Sequence, residues 1–149
     1  MVRVKGIAAG HDEHEHITDA ARPGRGAGRG RTRRGGGGRA GNRTRGLADP
    51  TAHAEMLVIR EACHALGEQR LEGASLYVTL EPCPMCAAAI SLARIHRLYW
   101  GASDAKGGGV EHGPRIFSQP TCHHAPELYG GLCATEAAEL LVSFFADRR

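Results

Sequence analysis

Nineteen of the 25 residues from 22 to 46 are glycine or arginine, and this tract limits the possible folds more than any other feature. It holds ten glycines, nine arginines and no acidic residue, so it carries a charge of +9. The whole chain has a net charge of +3, which leaves −6 on the other residues. A tract of this composition cannot bury enough apolar surface to offset its chain entropy. We therefore predict a Gly/Arg-rich, disordered segment at 1–46 and a folded domain at 47–149.

The rest of the composition is that of a single domain in a reducing compartment. A chain of 149 residues with 42% apolar residues can build one core. No run approaches the roughly 18–20 continuous apolar residues of a membrane helix, and the N-terminus does not resemble a signal peptide. The five cysteines are odd in number, and two are spaced as Cys83-x-x-Cys86. This pattern favours a cytoplasmic protein with a metal site over a disulfide framework.

Helical and strand patterns alternate downstream of Leu47. Asp49 and Pro50 have the residue types of a helix cap and a first helical position, so we expect a helix from about residue 50. Such alternation predicts an α/β sandwich around one sheet. The predicted helices cover 50–67, 84–95 and 135–148, and the predicted strands cover 75–80, 97–102 and 127–132, with a loop at 103–126 that includes a short turn at 116–117.

Two short motifs on this framework carry metal-site chemistry. His53 and Glu55 lie at the start of the first helix, and Cys83 and Cys86 lie at a strand-to-helix junction. A helix N-terminus favours thiolates, and two thiolates with one imidazole leave the fourth position of tetrahedral zinc open for water. Zinc can lower the pKa of such a water to about 7. Glu55, two residues from His53, is suited to move the water's proton.

Two other metal arrangements are weighed against this site. A closed structural zinc site would need a fourth protein ligand, for which the sequence offers Cys63, Cys122, His123 and His124. The histidines among residues 11–16 form a second cluster, but they lie in an aperiodic stretch. We interpret that cluster as a solvated segment and favour the open, catalytic arrangement.

The chain from about residue 40 resembles the bacterial tRNA-specific adenosine deaminases of the TadA type. The resemblance lies in GNRTR at 41–45, DPTAHAEM at 49–56, LYVTLEPCPMCAAAISLARI at 76–95, RLYWGASDAKGG at 97–108 and LLVSFFADRR at 140–149. It implies a three-layer α/β/α sandwich of the cytidine deaminase-like type with a mixed central sheet. It also implies one zinc ion per subunit on His53, Cys83 and Cys86, Glu55 as the catalytic proton carrier, and Asn42 as a substrate-binding residue.

The implied reaction is the hydrolytic deamination of adenosine to inosine at the wobble position of a tRNA anticodon loop, by a homodimer. Related enzymes that deaminate a free base or nucleoside, such as guanine or cytosine, share the H-A-E and C-P-M-C motifs and are the alternative. A zinc-binding but catalytically impaired protein is a further alternative. The reason lies in the N-terminal part of the chain.

The family has a helix and a two-stranded hairpin before the H-A-E helix, and this chain lacks the composition for them. Alanines are the only apolar residues between Thr18 and Arg45. We therefore expect the N-terminal helix and hairpin to be missing or degraded. Because a long stretch rich in Gly, Arg and Ala is what a shifted reading frame in a GC-rich gene produces, we interpret residues 11–39 as out of frame, either in the gene itself or only in the sequence as read. Chance divergence of this stretch is the alternative. Loss of these strands would weaken or abolish deamination.

Overall fold

The computed structural model describes residues 3–9 and 38–131, with only the backbone described for 3–9. This part of the chain forms a five-stranded sheet with two α-helices. Strand β1 covers Arg3–Ala9 and β2 covers Arg39–Gly41; they are followed by α1 (Ala54–Leu66), β3 (Ala74–Leu80), α2 (Pro84–Leu92), β4 (Arg97–Ala102), a 3₁₀ turn (Ile116–Ser118) and β5 (Glu127–Tyr129).

The sheet is mixed, as predicted. Its strand order is β2-β1-β3-β4-β5, in which β1 is antiparallel to β2 and β3, whereas β3, β4 and β5 are parallel. Helix α2 connects the parallel strands β3 and β4, and α1 packs on β1 and β2. The α/β class is confirmed; the predicted helix at 135–148, which would supply the third layer, lies outside the described residues.

Two strands occur where the sequence predicted none. Strands β1 and β2 lie within residues 1–46 and belong to the same sheet as β3, so the folded domain is not confined to 47–149. The expectation that the hairpin strands are missing is wrong for these two segments. Strand β2 has poor intrinsic strand propensity, and its pairing with β1 compensates for this. The remainder of 10–37, including the histidines at 11–16, lies outside the described residues.

The first helix begins four residues later than predicted. Asp49 does not cap it, because its carboxylate accepts hydrogen bonds from the backbone N–H and the hydroxyl of Thr51 and closes a separate turn. His53 is therefore the N-cap residue of α1, which ends at Gly67 in the left-handed conformation (φ 67°). Helix α2 begins at Pro84 as predicted but ends at Leu92, because the chain turns at Arg94 (φ 59°).

The core lies between the helices and one face of the sheet. Leu76 on β3 alternates with Tyr77, and Leu98 and Trp100 on β4 alternate with Tyr99. Trp100 is 1% exposed and belongs to the core. The tyrosines are only half-buried; they stack face to face on the opposite side of the sheet, with Tyr77 and Tyr99 ring centroids 4.6 Å apart. Among the described residues, the largest fully buried side chains are those of Val58, Leu76, Pro82, Cys86, Ile90, Ile95, Leu98 and Trp100.

Candidate metal centre

The N-terminal ends of the two helices bring three candidate ligands together. His53 is the N-cap residue of α1, Cys83 is the N-cap residue of α2, and Cys86 lies in the first turn of α2. The Nδ1 atom of His53 lies 3.6 Å from the Sγ atom of Cys83 and 3.6 Å from that of Cys86. Within residues 38–131, no other cluster of three or more such side chains has its ligand atoms this close together.

These distances fit a tetrahedral zinc ion. With Zn–S near 2.3 Å and Zn–N near 2.0–2.1 Å, tetrahedral angles place sulfur and nitrogen about 3.6 Å apart. Cys86 is buried, whereas His53 and Cys83 are half-buried, so the cluster has one accessible side. Two soft sulfur donors and one imidazole form a ligand set that suits zinc.

The four candidates for a fourth ligand are not part of this cluster. Cys63 lies with its sulfur 3.8 Å from the carbonyl oxygen of Gln69. Cys122 donates to the carbonyl of His124, whose own Nε2 lies 2.7 Å from the carbonyl oxygen of Ile95. Three of the four thus have other partners, and the described residues favour an open site over a closed structural one.

The two thiols act as one unit. A hydrogen bond from Cys86 is the largest influence on Cys83 and, against the opposing effect of burial, lowers the pKa of Cys83 to about 5. The same hydrogen bond and burial raise the pKa of Cys86. One hydrogen bond between the two thiols thus shifts their pKa values in opposite directions, and a bound dication would favour the thiolate form of both.

Glu55 lies beside the cluster without joining it. Its side chain is on the first turn of α1, and the residue is 8% exposed. Burial is the main cause that raises the pKa of Glu55, and the negative charge of Cys83 acts in the same direction. A buried carboxyl group whose environment favours the protonated form is the arrangement expected of a group that exchanges protons with a substrate.

Asn42 is not brought into the cluster. It is exposed, it follows β2 directly, and its side-chain oxygen accepts a hydrogen bond from the N–H of Thr44. The neighbouring Arg43 donates its backbone N–H to the carbonyl of Ala52, next to His53. This bond ties the segment after β2, which includes Asn42, to the start of α1.

Glu81 is a buried residue that the sequence analysis did not single out. Its side chain has no exposed surface, and its carboxylate accepts hydrogen bonds from the loop after β4. Burial alone raises its pKa, but the bonds from His112, Asp104 and Glu111 outweigh burial and lower the pKa of Glu81 to about 2. The available signal was an acidic residue at the end of a buried strand, two positions before Cys83.

Comparison with known proteins gives the family. Residues 9–102 match the family described as cytidine and deoxycytidylate deaminase zinc-binding region. The chain belongs to this family. The structure therefore has the cytidine deaminase-like fold expected from the sequence, and the family's zinc-binding character agrees with the His53, Cys83 and Cys86 cluster.

The relatives make the resemblance more specific. A tRNA-specific adenosine deaminase of Agrobacterium fabrum is 68% identical over 111 residues, which cover 74% of this chain and 73% of that protein. The protein of the same name from Bacillus subtilis is 49% identical over 98 residues, covering 66% of this chain and 61% of its own length. The resemblance to tRNA-specific adenosine deaminases is thereby confirmed.

Solved structures agree with these relatives. One from a study of A-to-I editing by tRNA:A34 deaminases at the wobble position is 70% identical, with a TM-score of 0.67 over 68% of this chain and 74% of that chain. A guanine deaminase from Nitrosomonas europaea has a TM-score of 0.61 over 72% of this chain and 64% of that chain, at 20% identity, and shares the fold. Within the described residues, no helix is long and apolar enough to cross a membrane.

Proposed function

We propose that this protein hydrolyses adenosine to inosine in the anticodon loop of a tRNA, with a zinc ion at the helix N-termini. The observation that supports this most directly is the geometry of His53, Cys83 and Cys86, with buried Glu55 beside it. The 68% identity to a tRNA-specific adenosine deaminase supports RNA as the substrate.

Each residue has a separate role in this proposal. His53, Cys83 and Cys86 would hold the zinc ion, which when bound would supply an activated water at neutral pH. Glu55 would take one proton from the attacking water and pass it to the purine ring nitrogen. It would then take the second proton from the new C6 hydroxyl and pass it to the departing amino group. Water adds to C6 and ammonia leaves, so adenosine and water give inosine and ammonia.

RNA recognition involves the accessible side of the cluster. Enzymes that modify a base in RNA must take it out of its stack, and we propose that the flipped adenosine is held by Asn42. This role for Asn42 is supported by its exposed position and by the bond from the backbone N–H of the adjacent Arg43 to the carbonyl of Ala52, which precedes His53. We infer a homodimer and a cytoplasmic location from the resemblance to the tRNA-specific deaminases.

The experiment is a substrate panel with zinc-loaded protein. An anticodon stem–loop with adenosine at the wobble position, free adenosine, guanine and cytosine are incubated separately, and inosine, xanthine and uracil are measured. Inosine in the stem–loop alone is expected, and Glu55→Gln protein provides the matched control for contaminating activity. Xanthine or uracil without edited RNA would favour a free-base deaminase. If the zinc-loaded, folded protein forms no product from any of these substrates, the hypothesis of a zinc-binding but catalytically impaired protein is favoured.

A further inference from the structure

Glu81 sits between the sheet and the candidate zinc ligands. It follows the last residue of β3 and precedes Cys83 by two positions. Its backbone N–H donates to the carbonyl of Ala102, which extends the pairing of β3 with β4 by one residue. The direction of the chain as it leaves the sheet toward Cys83 is therefore set at Glu81.

The carboxylate of Glu81 gathers the loop that follows β4. One oxygen accepts the backbone N–H groups of Val110, Glu111 and His112 at 3.1, 2.8 and 3.0 Å. The other oxygen accepts the N–H of Asp104 at 3.0 Å and lies 2.7 Å from Nδ1 of His112. Because charge-assisted bonds of this kind are stronger than neutral ones, five of them on one buried carboxylate fix the loop's position.

The loop held by Glu81 lies directly against the backbone of Cys83. The N–H of Gly109 donates to the carbonyl of Pro82 at 2.8 Å. A Cβ atom on Gly109 would lie 2.6 Å from the nitrogen of Pro84 and 2.9 Å from the carbonyl carbon of Cys83. Only glycine allows this approach, so the backbone of the loop packs directly against the Cys83–Pro84 peptide.

We propose that Glu81 is a positioning residue for the zinc ligand Cys83. It acts through the 104–112 loop, which presses Gly109 against the Pro82–Pro84 segment and holds the Cys83 sulfur at its distance from His53. This proposal rests on the assignment of Cys83 as a zinc ligand. Groups behind metal ligands orient those ligands, and their loss typically costs about 10–100-fold in metal affinity or activity.

The experiment compares zinc affinity and coordination geometry in variants of the full chain. Glu81→Gln keeps the side-chain shape but turns an NH₂ group toward donors that need an acceptor. The matched control is Glu111→Gln in the same loop, because Glu111 bonds to Glu81 only through its backbone N–H. Zinc affinity is measured by competition with a chromogenic chelator, and geometry by the visible absorption of the cobalt-substituted protein.

We expect the zinc dissociation constant of Glu81→Gln to rise about 10–100-fold and its cobalt spectrum to shift, with Glu111→Gln unchanged. His112→Ala removes one of the five bonds and should give a smaller loss, which His112→Gln, still a donor, should partly restore. An unchanged affinity and spectrum in folded Glu81→Gln would overturn the proposal. If the unaltered chain itself bound no zinc, the assignment of the metal site would fail instead.

If Glu81→Gln does not fold, a second variant tests the same action of the 104–112 loop on Cys83. Gly109→Ala keeps every group that bonds to Glu81 but forces the loop away from Cys83 and Pro84. Gly46→Ala is its control, since a Cβ there lies outside the loop and meets only the carbonyl oxygen of Arg43, at 3.9 Å. Weaker zinc binding in Gly109→Ala, with Gly46→Ala unchanged, supports the proposal; zinc binding in Gly109→Ala equal to that of the unaltered chain overturns it.

Discussion

Replacing Cys86 with alanine should abolish the effect of zinc on stability while changing the metal-free protein only slightly. Cys86 has no exposed surface, and its sulfur lies 3.6 Å from Nδ1 of His53. The substitution removes one buried heavy atom from the first turn of α2. It also removes one of the two sulfur ligands on which the proposed zinc site depends.

The two effects have separable magnitudes. Deleting a single buried heavy atom costs about 0.5–1.5 kcal/mol, and this loss should appear in the presence of a chelator. Zinc at a hundredfold excess over its dissociation constant adds about 2.7 kcal/mol to the free energy of unfolding of a protein that binds it. For a chain of 149 residues, this corresponds to a rise of about 5–10 °C in melting temperature.

The assay is a thermal melt of each protein with excess zinc and with chelator. The unaltered chain should show the zinc-dependent rise, and Cys86→Ala should not. Cys63→Ala is the matched control, because Cys63 is a half-buried cysteine outside the cluster and its loss should leave the rise intact. An equal zinc-dependent rise in Cys86→Ala and the unaltered chain would refute the ligand assignment.

Three further predictions concern the proton carrier, the sheet edge and the N-terminal segment. Glu55→Gln should lower the rate of inosine formation by about 10²–10⁴ with zinc affinity retained, and a variant that keeps a tenth of the activity would contradict the proposed role. Gly130→Ala would place a Cβ atom 2.5 Å from the Trp100 ring, so urea denaturation should show a loss of about 1–3 kcal/mol, and an unchanged midpoint would contradict that packing. If residues 11–39 are out of frame only in the sequence as read, peptide mapping of soluble, active protein should find no intact peptide from residues 35–39, and recovery of that peptide would end this form of the hypothesis.

The metal cluster could be predicted from the sequence because its determinants are local. A Cys-x-x-Cys pair at the start of a helix after a buried strand leaves few positions for the two sulfurs, and Pro84 marks the helix start. The start of α1 could not be placed correctly, since Asp49 has the residue type of a helix cap and of a turn. The hydrogen bonds that Asp49 accepts from Thr51 decide in favour of the turn, and the residue types alone do not reveal these bonds.

Glu81 was missed for a different physical reason. Four of its five partners are backbone N–H groups, which every residue except proline possesses. Only the position of the loop around Asp104 and His112 brings those groups to the carboxylate. A buried charge that is satisfied mainly by backbone groups leaves little residue-type signal in its partners, so the structure is needed to find it.

The N-terminal strands change what an altered reading frame would imply. Strand β1 contains the apolar residues Val4 and Ile7, and its pairing with β3 shifts register between Lys5 and Ile7, around Gly6. Strand β2 pairs Gly41, Ala40 and Arg39 with the start of β1. A frame change limited to residues 11–39 would therefore alter the connection between two paired strands and overlap them only at Arg39. The sheet edge beside α1 would persist, so loss of deamination does not follow from the frame change alone.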